Sequence, residues 1–445
     1  MKKLLTLLIL VALSFSFSSC EKEGTKTYDL SIQLVYPEAS EFTAIAGVTI
    51  NVTNTTDGTI YTATTDATGL ATVKLIAGAY NLSASETRSN EGTVTAFNGS
   101  KNNVIITSTW ATDGTVQNID LVASEAKQLI IKEFRFGGCL KDDGSGKFFN
   151  DKYVTIYNNS EFEVSLKNLC LAMANPFNSA MATNYDIVDG KLWFEDEGIS
   201  LCCYGFWSLG ENGPILKGGE EITIAIEGAI DHTLTYKNSV NLSDSKYYVC
   251  YDPEAGLTIP SYYPAPSESI PSTQYLKIFW WGQGSAWPMS NDSPAFFIFT
   301  PKDGETPQSI LASTSNEHQY NNKTGAPNKR KKIQNSWIFD GIEIFKAGAD
   351  NNKKRLSSAI DGGFLNFTNA QGYTAYRNVD KARTEAVEGN KEKLVYNYAG
   401  GTEKSTDPSG IDAEASLKNG AIIFFMDTNN STNDFHQRKV SALKK

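Results

Sequence analysis

The chain has 445 residues and a formal net charge of −10, with 20% charged and 40% hydrophobic residues. This composition is that of a folded protein, and it excludes both a wholly disordered chain and a polytopic membrane protein. The acidic balance argues against a nucleic-acid-binding protein, which needs a basic face. With only three histidines in the chain, there is little material for metal binding or acid–base chemistry, so we expect no metal and no cofactor.

The N-terminus has the layout of a secretory signal. Lys2 and Lys3 precede a short apolar run that ends just before Cys20, and this run is too short to span a bilayer as a permanent helix. A small residue directly before a cysteine resembles the lipobox of bacterial lipoproteins, whose cysteine is lipidated and becomes the new N-terminus. The resemblance implies a signal peptide over 1–19, a lipid anchor on Cys20 and a tether over 20–27. The alternative is an ordinary signal peptide that happens to end near a cysteine.

Five cysteines remain once Cys20 carries lipid, namely Cys139, Cys170, Cys202, Cys203 and Cys250. An odd number in an exported protein leaves at least one thiol unpaired within the chain. Cys202 and Cys203 are adjacent and cannot easily bridge each other, so either is free to pair elsewhere or to stay reduced. The sequence leaves the pairing open, with buried free thiols as the commonest alternative. A zinc site is disfavoured because the chain has no C-x-x-C pair.

Residues 28–124 are predicted to form an antiparallel β-sandwich. Apolar residues alternate with polar ones from Tyr28 to Leu34 and again from Val48 to Val52. Turn sequences such as Asp66–Gly69 separate the runs at about ten-residue spacing, which is typical of a sandwich. The segment Gly47–Ser85, with "TDATG" followed by "AGAY", resembles the carboxypeptidase regulatory-like (transthyretin-type) domain of bacterial surface proteins. The resemblance implies a spacer or a small binding module.

Residues 128–445 are predicted to form a second, larger β domain, so the predicted fold class is all-β. Strands are expected over 129–136 and 152–159, and their sequences "IIKEF" and "KYVTIYNNS" resemble the start of a lamin-tail-type immunoglobulin-like sandwich. This resemblance implies an immunoglobulin-like β-sandwich with long loop insertions. Further along, we predict strands over 372–377 and 394–398 that flank a short helix over 379–388.

The C-terminal part, from "AYRN" to "DTNNSTNDF", resembles the closing segment of a family of Gram-negative outer-membrane lipoproteins of unknown function. The resemblance implies architecture and location but no catalytic residues. Asp427 and Asp434 in this segment are possible Ca²⁺ ligands, yet they lack the spacing and the glycine of an EF-hand. Turns closed by Asx side chains are the better interpretation.

Residues 241–300 are rich in aromatic residues and proline. Tyr262, Tyr263, Trp281 and Trp287 lie beside Gly or Pro, so we predict that they are binding residues on loops, where rings stack on sugars or insert into partner pockets. The alternative is that such rings fill the core. The basic runs 329–332 and 353–355 are interpreted as solvated loops that balance an acidic chain, in preference to a contact for nucleic acid, anionic glycan or lipopolysaccharide.

No nucleotide-binding, metalloprotease or serine-hydrolase motif is present in the sequence, and the three histidines, in polar surroundings, are expected at the surface. We therefore predict a lipid-anchored outer-membrane protein, exposed on the cell surface, that is not an enzyme. It would bind an outer-membrane transporter or a surface glycan or protein, and no nucleic acid. A cell-surface glycan hydrolase with two carboxyls about 5–9 Å apart is the first alternative. A passive structural or adhesive envelope component is the second.

Overall fold

The computed structural model describes residues 26–38, 40–90, 93–110, 116–125, 127–181, 186–281, 286–321 and 327–444. Within these ranges the protein is nearly all β and consists of two sandwiches that follow each other along the chain. The described helices are short, and none has the length and apolar character needed to cross a membrane. The predicted signal peptide and Cys20 lie outside the described residues.

The first sandwich is built from the strands before residue 126. These are β1 (Tyr28–Val35), β2 (Thr49–Asn54), β3 (Ile60–Thr64), β4 (Leu70–Leu75), β5 (Gly78–Asn90), β6 (Thr93–Ile106), β7 (Val116–Asp120) and β8 (Val122–Glu125). One sheet has the order β4-β1-β7 and the other the order β3-β2-β5-β6-β8. Every second residue of β1 is buried, from Tyr28 onward, which is the alternation read from the sequence.

The second sandwich contains the remaining strands and the α-helices. The strands are β9 (Leu129–Arg135), β10 (Cys139–Leu140), β11 (Lys147–Phe148), β12 (Tyr153–Asn158), β13 (Val164–Ser165), β14 (Cys170–Ala174), β15 (Ile187–Val188), β16 (Lys191–Leu192), β17 (Ile199–Ser208), β18 (Ile215–Leu216), β19 (Glu221–Ala225), β20 (Tyr248–Val249), β21 (Lys277–Trp280), β22 (Ala295–Phe299), β23 (Glu317–Asn321), β24 (Pro327–Gln334), β25 (Ile338–Lys346), β26 (Leu365–Phe367), β27 (Thr374–Arg377) and β28 (Phe435–Arg438). The helices are α1 (Pro307–Ala312), α2 (Lys381–Ala386), α3 (Ala413–Lys418) and α4 (Ser431–Asp434).

Two large sheets face each other in this sandwich. One has the order β20-β19-β12-β9-β27-β28, and the other has the order β23-β24-β17-β14-β22-β25-β26, with β21 also paired to β17. The core lies between them, where the rings of Phe134 (β9) and Phe296 (β22) stack with centroids 4.7 Å apart. The two short pairs β10–β11 and β13–β18, and the β15–β16 hairpin, lie outside these sheets.

A bulge in β9 places charge on the outer face of the six-stranded sheet. The register with β12 shifts beside Thr155, so Ile131 and Phe134 both face the core while Lys132 and Glu133 do not. The buried Lys132 Nζ lies 2.7 Å from a carboxylate oxygen of Glu221 and 2.7 Å from one of Glu414. Because Glu414 belongs to α3, this double ion pair holds the C-terminal segment against the sheet.

A second buried cluster lies where the two sandwiches meet. The guanidinium of Arg377 contacts the carboxylates of Asp340, Asp427 and Asp434. Asp434 accepts hydrogen bonds from the backbone of Thr428 and Asn430. The Asx turn predicted for this loop is made by Asn430, whose Oδ1 accepts from the backbone N–H of Thr432 at 3.0 Å. In the described part of the chain, no group of three or more His, Cys, Asp or Glu side chains is arranged to hold a metal ion.

Two local predictions are wrong. The strand predicted over 394–398 is not formed, and this segment makes only an isolated bridge between Tyr396 and Ile411. The basic runs are not solvated loops, because 329–332 lies in β24 and each run contains a buried arginine, Arg330 or Arg355. Each of these cations has a fixed partner: Arg330 donates to the Asn175 amide oxygen and Arg355 forms a buried ion pair with Glu343.

The cysteines and two of the histidines are core residues. All five cysteines after Cys20 are buried free thiols. His232 and His436 are buried as well, so the surface position expected for them is wrong. His436 bonds to Tyr398 and Asn378 through its two ring nitrogens, and burial lowers its pKa to about 3, which leaves it neutral at physiological pH.

Candidate ligand-binding site

A kink in β17 organises the aromatic residues of the second sandwich. Tyr204 has φ of 58° and Gly205 follows with φ of 159°. Before the kink β17 pairs with β24, and after it the strand pairs with β21. Since β14 pairs with both ends of β17, β24 and β21 must occupy the same edge of β17 and separate at Tyr204. The sheet therefore parts at this residue.

Glycine is required at the kink by close approach. A Cβ on Gly205 would lie 2.8 Å from the Phe279 carbonyl oxygen and 3.0 Å from Trp280 Cδ1. An isolated glycine within a strand pattern is a signal for a bulge or a close backbone contact. The sequence "CCYGFW" carries this signal. It could have indicated the kink, which the abundance of aromatic residues over 241–300 did not indicate.

Two of the predicted binding residues are buried at this kink instead of being exposed on loops. Trp287 is 1% exposed and its indole N–H donates to the Gly205 carbonyl at 2.9 Å. Tyr263 is 8% exposed and its hydroxyl donates to the Trp287 carbonyl. Both pack against Trp207 in the core, so neither offers a surface to a ligand. Both rings can be buried because the polar group of each keeps a hydrogen-bond partner in the core.

The other two predicted residues are half-buried. Tyr262 packs edge-on against Tyr263, with centroids 6.4 Å apart. The backbone N–H of Trp281 donates to the Tyr204 carbonyl at 3.0 Å, and its ring packs against Phe206. Of the four, Trp281 alone combines a partly exposed ring with a position beside the parted sheet.

Three further residues join Tyr204 and Trp281 there, and we call this group the kink site: Phe177, Tyr204, Trp280, Trp281 and Arg330. The Arg330 guanidinium carbon lies 4.7 Å from the centroid of the Tyr204 ring, within cation–π range. Arg330 is 3% exposed, and its Nε donates to the amide oxygen of Asn175. The four aromatic rings are half-buried. Phe177 and Tyr204 lie with Arg330 on one face of the sheet, whereas Trp281 packs with Phe206 and Lys331 on the other.

A chain of polar contacts extends the site along β24. Asn175 donates to Asp186, and Asp186 accepts from the Trp193 indole N–H at 3.3 Å. The Trp193 ring lies 4.6 Å from the His318 ring and 5.4 Å from Lys332 Nζ. Side chains held this way by packing and by a second layer of hydrogen bonds are preorganised for contact with a ligand.

Burial shifts the pKa of two ionisable groups along this chain of contacts. It raises the pKa of Asp186, although Asn175 and Trp193 oppose the rise through their hydrogen bonds. It lowers the pKa of His318, against the nearby charge of Asp186. Lys332 beside Trp193 pairs with Glu197, and Asp186 accepts from the Trp193 indole, so acidic and basic side chains meet at this ring.

Two indole donors at the kink site have no partner. The Nε1 atoms of Trp280 and Trp281 are buried, and no acceptor lies within hydrogen-bond distance among the described residues. A buried donor without an acceptor costs about 1–3 kcal/mol. Because both atoms are also closed off from solvent, neither donor can reach a bound molecule unless the surrounding side chains move.

A pair of carboxylates on the outer face of the six-stranded sheet lies apart from the kink site and forms ion pairs with one lysine. Glu221 and Glu414 share Lys132, as described above. Burial opposes ionisation of Glu414, but Lys132 and the Tyr376 hydroxyl outweigh it, and the net effect lowers the pKa of Glu414. A carboxyl with a lowered pKa is a poor proton donor at neutral pH, so this pair does not match the raised acid of a glycosidase.

Comparison with known proteins assigns the chain to a family. Residues 217–442 match the model of a family described as protein of unknown function (DUF4876). The chain belongs to the DUF4876 family. The matched region includes Trp280, Trp281 and Arg330 of the kink site, whereas Phe177 and Tyr204 precede it.

Solved structures support the fold of this DUF4876 protein. A crystal structure of a DUF4876 family protein from Bacteroides thetaiotaomicron is similar at 20% identity and a TM-score of 0.50, covering 92% of this chain and 94% of that one. At this identity the likeness concerns the fold, which is all-β. The major pilin subunit BcpA of Bacillus cereus, at 13% identity and a TM-score of 0.16 over 74% of this chain and 98% of that one, is too dissimilar for comparison. Among curated proteins there is no match.

Proposed function

We propose that this DUF4876 protein is a non-catalytic binding protein of the bacterial cell surface, anchored in the outer membrane by lipid on Cys20. The basic start, the short apolar run and the position of Cys20 support the anchor. Acyl chains on one cysteine contribute about 0.8 kcal/mol for each buried CH₂, enough to hold a folded protein at a membrane.

The kink site carries the binding function. Its half-exposed rings flank the point where β24 and β21 separate, and the fixed guanidinium of Arg330 lies over one of them, Tyr204. Aromatic rings offer large contact areas at low entropic cost. The neighbouring ionisable groups are already engaged in hydrogen bonds or ion pairs, which favours recognition over chemistry.

The first sandwich then serves as a spacer between the anchor and the kink site. The kink site can face either a surface glycan or protein or an outer-membrane transporter. Cross-linking of the full-length protein in intact cells, followed by mass spectrometry, distinguishes a transporter partner from a free surface ligand.

The binding function is tested with full-length protein in detergent micelles on arrays of glycans and peptides. Replacement of Trp281 by Ala removes a half-exposed ring of the kink site. Phe162→Ala is the matched control, because Phe162 is 75% exposed and belongs to a different edge of the sandwich. We expect the first variant to lose binding and the control to retain it. Equal retention by both variants, or no binding to any probe, would reject the kink site as the binding surface.

The anchor is tested separately by replacing Cys20 with Ser. We expect the wild-type protein in the membrane fraction with the mass of a lipidated N-terminus, and the variant released from membranes. An unmodified N-terminus on the native protein would reject the anchor without bearing on the kink site.

A further inference from the structure

The first sandwich has two distinct ends, and the second sandwich lies at one of them. Tyr28 opens β1, and its hydroxyl donates to the Ser108 carbonyl at 3.0 Å, so the segment after β6 closes the same end. At the other end, level with Val35, β7 leads into β8 and on to β9, and Asn98 contacts the Thr428 carbonyl. We call the end that carries Tyr28 the proximal end. A strand of eight residues, the length of β1, separates the two ends by about 25 Å.

Exposed apolar side chains from both sheets lie at the proximal end. Ile105 is 54% exposed and pairs with Ala79 at the start of β5. Thr55 donates its backbone N–H to the same Ala79, which places the β2–β3 turn here, and Ile60 after this turn is 62% exposed. Val116 is 45% exposed and begins β7, the strand that runs parallel to β1. Single exposed apolar residues are ordinary, but three gathered at one end of a small sandwich favour an apolar contact.

A tryptophan and balanced charges complete the proximal end. The half-buried Trp110 donates its indole N–H to the Asp29 carbonyl at 3.1 Å. Tryptophan combines an apolar ring with one polar group and is enriched where proteins meet the interface of a membrane. The exposed Lys74 pairs with Asp29 at 3.8 Å, and the exposed Lys26 and Asp57 carry opposite charges. These described charges offset one another, so the end favours an apolar contact over an electrostatic one.

The length of chain before β1 decides what covers this end. With the lipid anchor proposed above on Cys20, on which this inference rests, Tyr28 is eight residues from the point of membrane attachment. Eight residues span at most about 28 Å, so the anchor keeps the proximal end beside a lipid surface. A tether this short gives an effective concentration in the millimolar range, and a contact with a dissociation constant of about 1 mM is then substantially populated.

We propose that the proximal end of the first sandwich rests on the lipid surface that holds the anchor. Ile60, Ile105 and Trp110 lie among the headgroups, and β1 leads away from the membrane toward the second sandwich. Because Asn98 fixes the opposite end to the second sandwich, this contact holds the kink site at a set height above the membrane. A protein partner is a poorer occupant, because the tether places lipid beside this end in every molecule and places no protein there.

The experiment is fluorescence quenching in vesicles. Lipidated full-length protein with Ile60→Cys is labelled with an environment-sensitive fluorophore, which reacts only there because Cys20 carries lipid and the described thiols are buried. It is reconstituted into phosphatidylcholine vesicles that contain a nitroxide-bearing lipid. We expect quenching of the label, unchanged when phosphatidylglycerol is added. Addition of Ile105→Asp should lower the docking equilibrium constant at least about tenfold, because it replaces a buried apolar side chain by a charge.

Ile45 provides the matched controls, because it is 39% exposed and lies at the opposite end, where its carbonyl accepts from the Thr65 hydroxyl after β3. A label at Ile45→Cys should stay unquenched, and Ile45→Asp should leave the label at Ile60→Cys quenched. Flotation with the vesicles without quenching at Ile60→Cys would overturn the docking and leave the anchor standing, whereas failure to float would overturn both. Quenching only with phosphatidylglycerol would overturn the apolar contact. Burial of the label in cell envelopes but not in pure lipid would assign this end to a protein partner instead.

Discussion

The buried carboxyl of Asp427 should make the stability of this protein fall as pH rises, and its replacement by Asn should remove the share of that dependence that Asp427 causes. Asp427 lies where the two sandwiches meet and accepts a hydrogen bond from the backbone N–H of Lys127. Among the described residues, Arg377 is the cation that forms ion pairs with all three carboxylates, Asp340, Asp427 and Asp434. One guanidinium cannot balance three ionised carboxylates in a buried place.

The magnitude follows from the pKa of Asp427. Burial, reinforced by the charges of Asp340 and Asp434 and opposed by Arg377, raises it from 3.8 to about 8. The folded protein thus retains a proton that the unfolded chain releases above pH ~4, so the free energy of unfolding declines between about pH 4 and pH 8. A rise of about four pH units at about 1.4 kcal/mol each gives a full cost of about 5 kcal/mol above pH 8. Asp434, whose pKa is raised to about 6 by burial, acts in the same direction over a lower range.

The assay is urea unfolding of wild type and Asp427→Asn from pH 5 to pH 9, followed by tryptophan fluorescence. The difference between the two proteins should be small at pH 5 and should grow in favour of the variant, by several kcal/mol, toward pH 8.5. Asp350→Asn, at an exposed position, is the control and should leave the pH profile unchanged. If the Asp427→Asn profile runs parallel to that of wild type, Asp427 is ionised throughout and the charge reasoning fails.

Three further predictions concern buried residues. Lys132→Met leaves Glu221 and Glu414 without their shared cation and should lower the free energy of unfolding by roughly 2–4 kcal/mol. The control Lys74→Met removes an exposed ion pair 3.8 Å long and should change the free energy of unfolding by less than about 0.5 kcal/mol. Equal effects of the two variants in urea titrations would contradict the buried ion pair. Trp287→Ala should cost about 3–5 kcal/mol by opening a cavity, and a loss below about 1 kcal/mol would mean that the ring is not in the core. The five thiols after Cys20 should resist a thiol reagent at pH 8 in the folded protein and all react in guanidinium, because burial removes access and raises the pKa of Cys139 to about 11; rapid reaction of the native protein would refute their burial.

Alternation made the first sandwich predictable, whereas the second sandwich depends on contacts distant in sequence. The run from Tyr28 to Leu34 shows its buried face directly, because one face of β1 packs inward and the other does not. Residues 420–426 are also apolar, yet they form no ladder. Asn159 bonds both the N–H and the carbonyl of Phe425, and the Tyr157 hydroxyl donates to Ile423. Side chains more than 250 positions away replace a strand partner, and no local pattern announces such a replacement.

The candidate site was also predictable only in part. The sequence drew attention to aromatic residues, but the exposure of each ring depends on which side of the kink at Gly205 it lies. Trp287 lies in the core, where its indole N–H donates to the Gly205 carbonyl, whereas Trp281 stays partly exposed beside Tyr204. Arg330 escaped prediction because a run of four basic residues looks solvated. Only the pairing of β24 with β17 brings its guanidinium onto the Tyr204 ring.

The contact between the sandwiches bears on the proposed spacer role of the first sandwich, because it fixes the two sandwiches to each other. Asn98 of β6 is fully buried, and its side-chain amide N–H donates to the Thr428 carbonyl at 2.5 Å. Gly362 packs closely against Asn98, because a Cβ on Gly362 would lie 2.7 Å from the Cβ of Asn98. The loop that receives Asn98 is the one closed by Asp434 and held by Arg377. The acidic segment around Asp427 and Asp434 therefore fixes the first sandwich to the second, so the kink site is held at a set position relative to the first sandwich and not at the end of a freely jointed stalk.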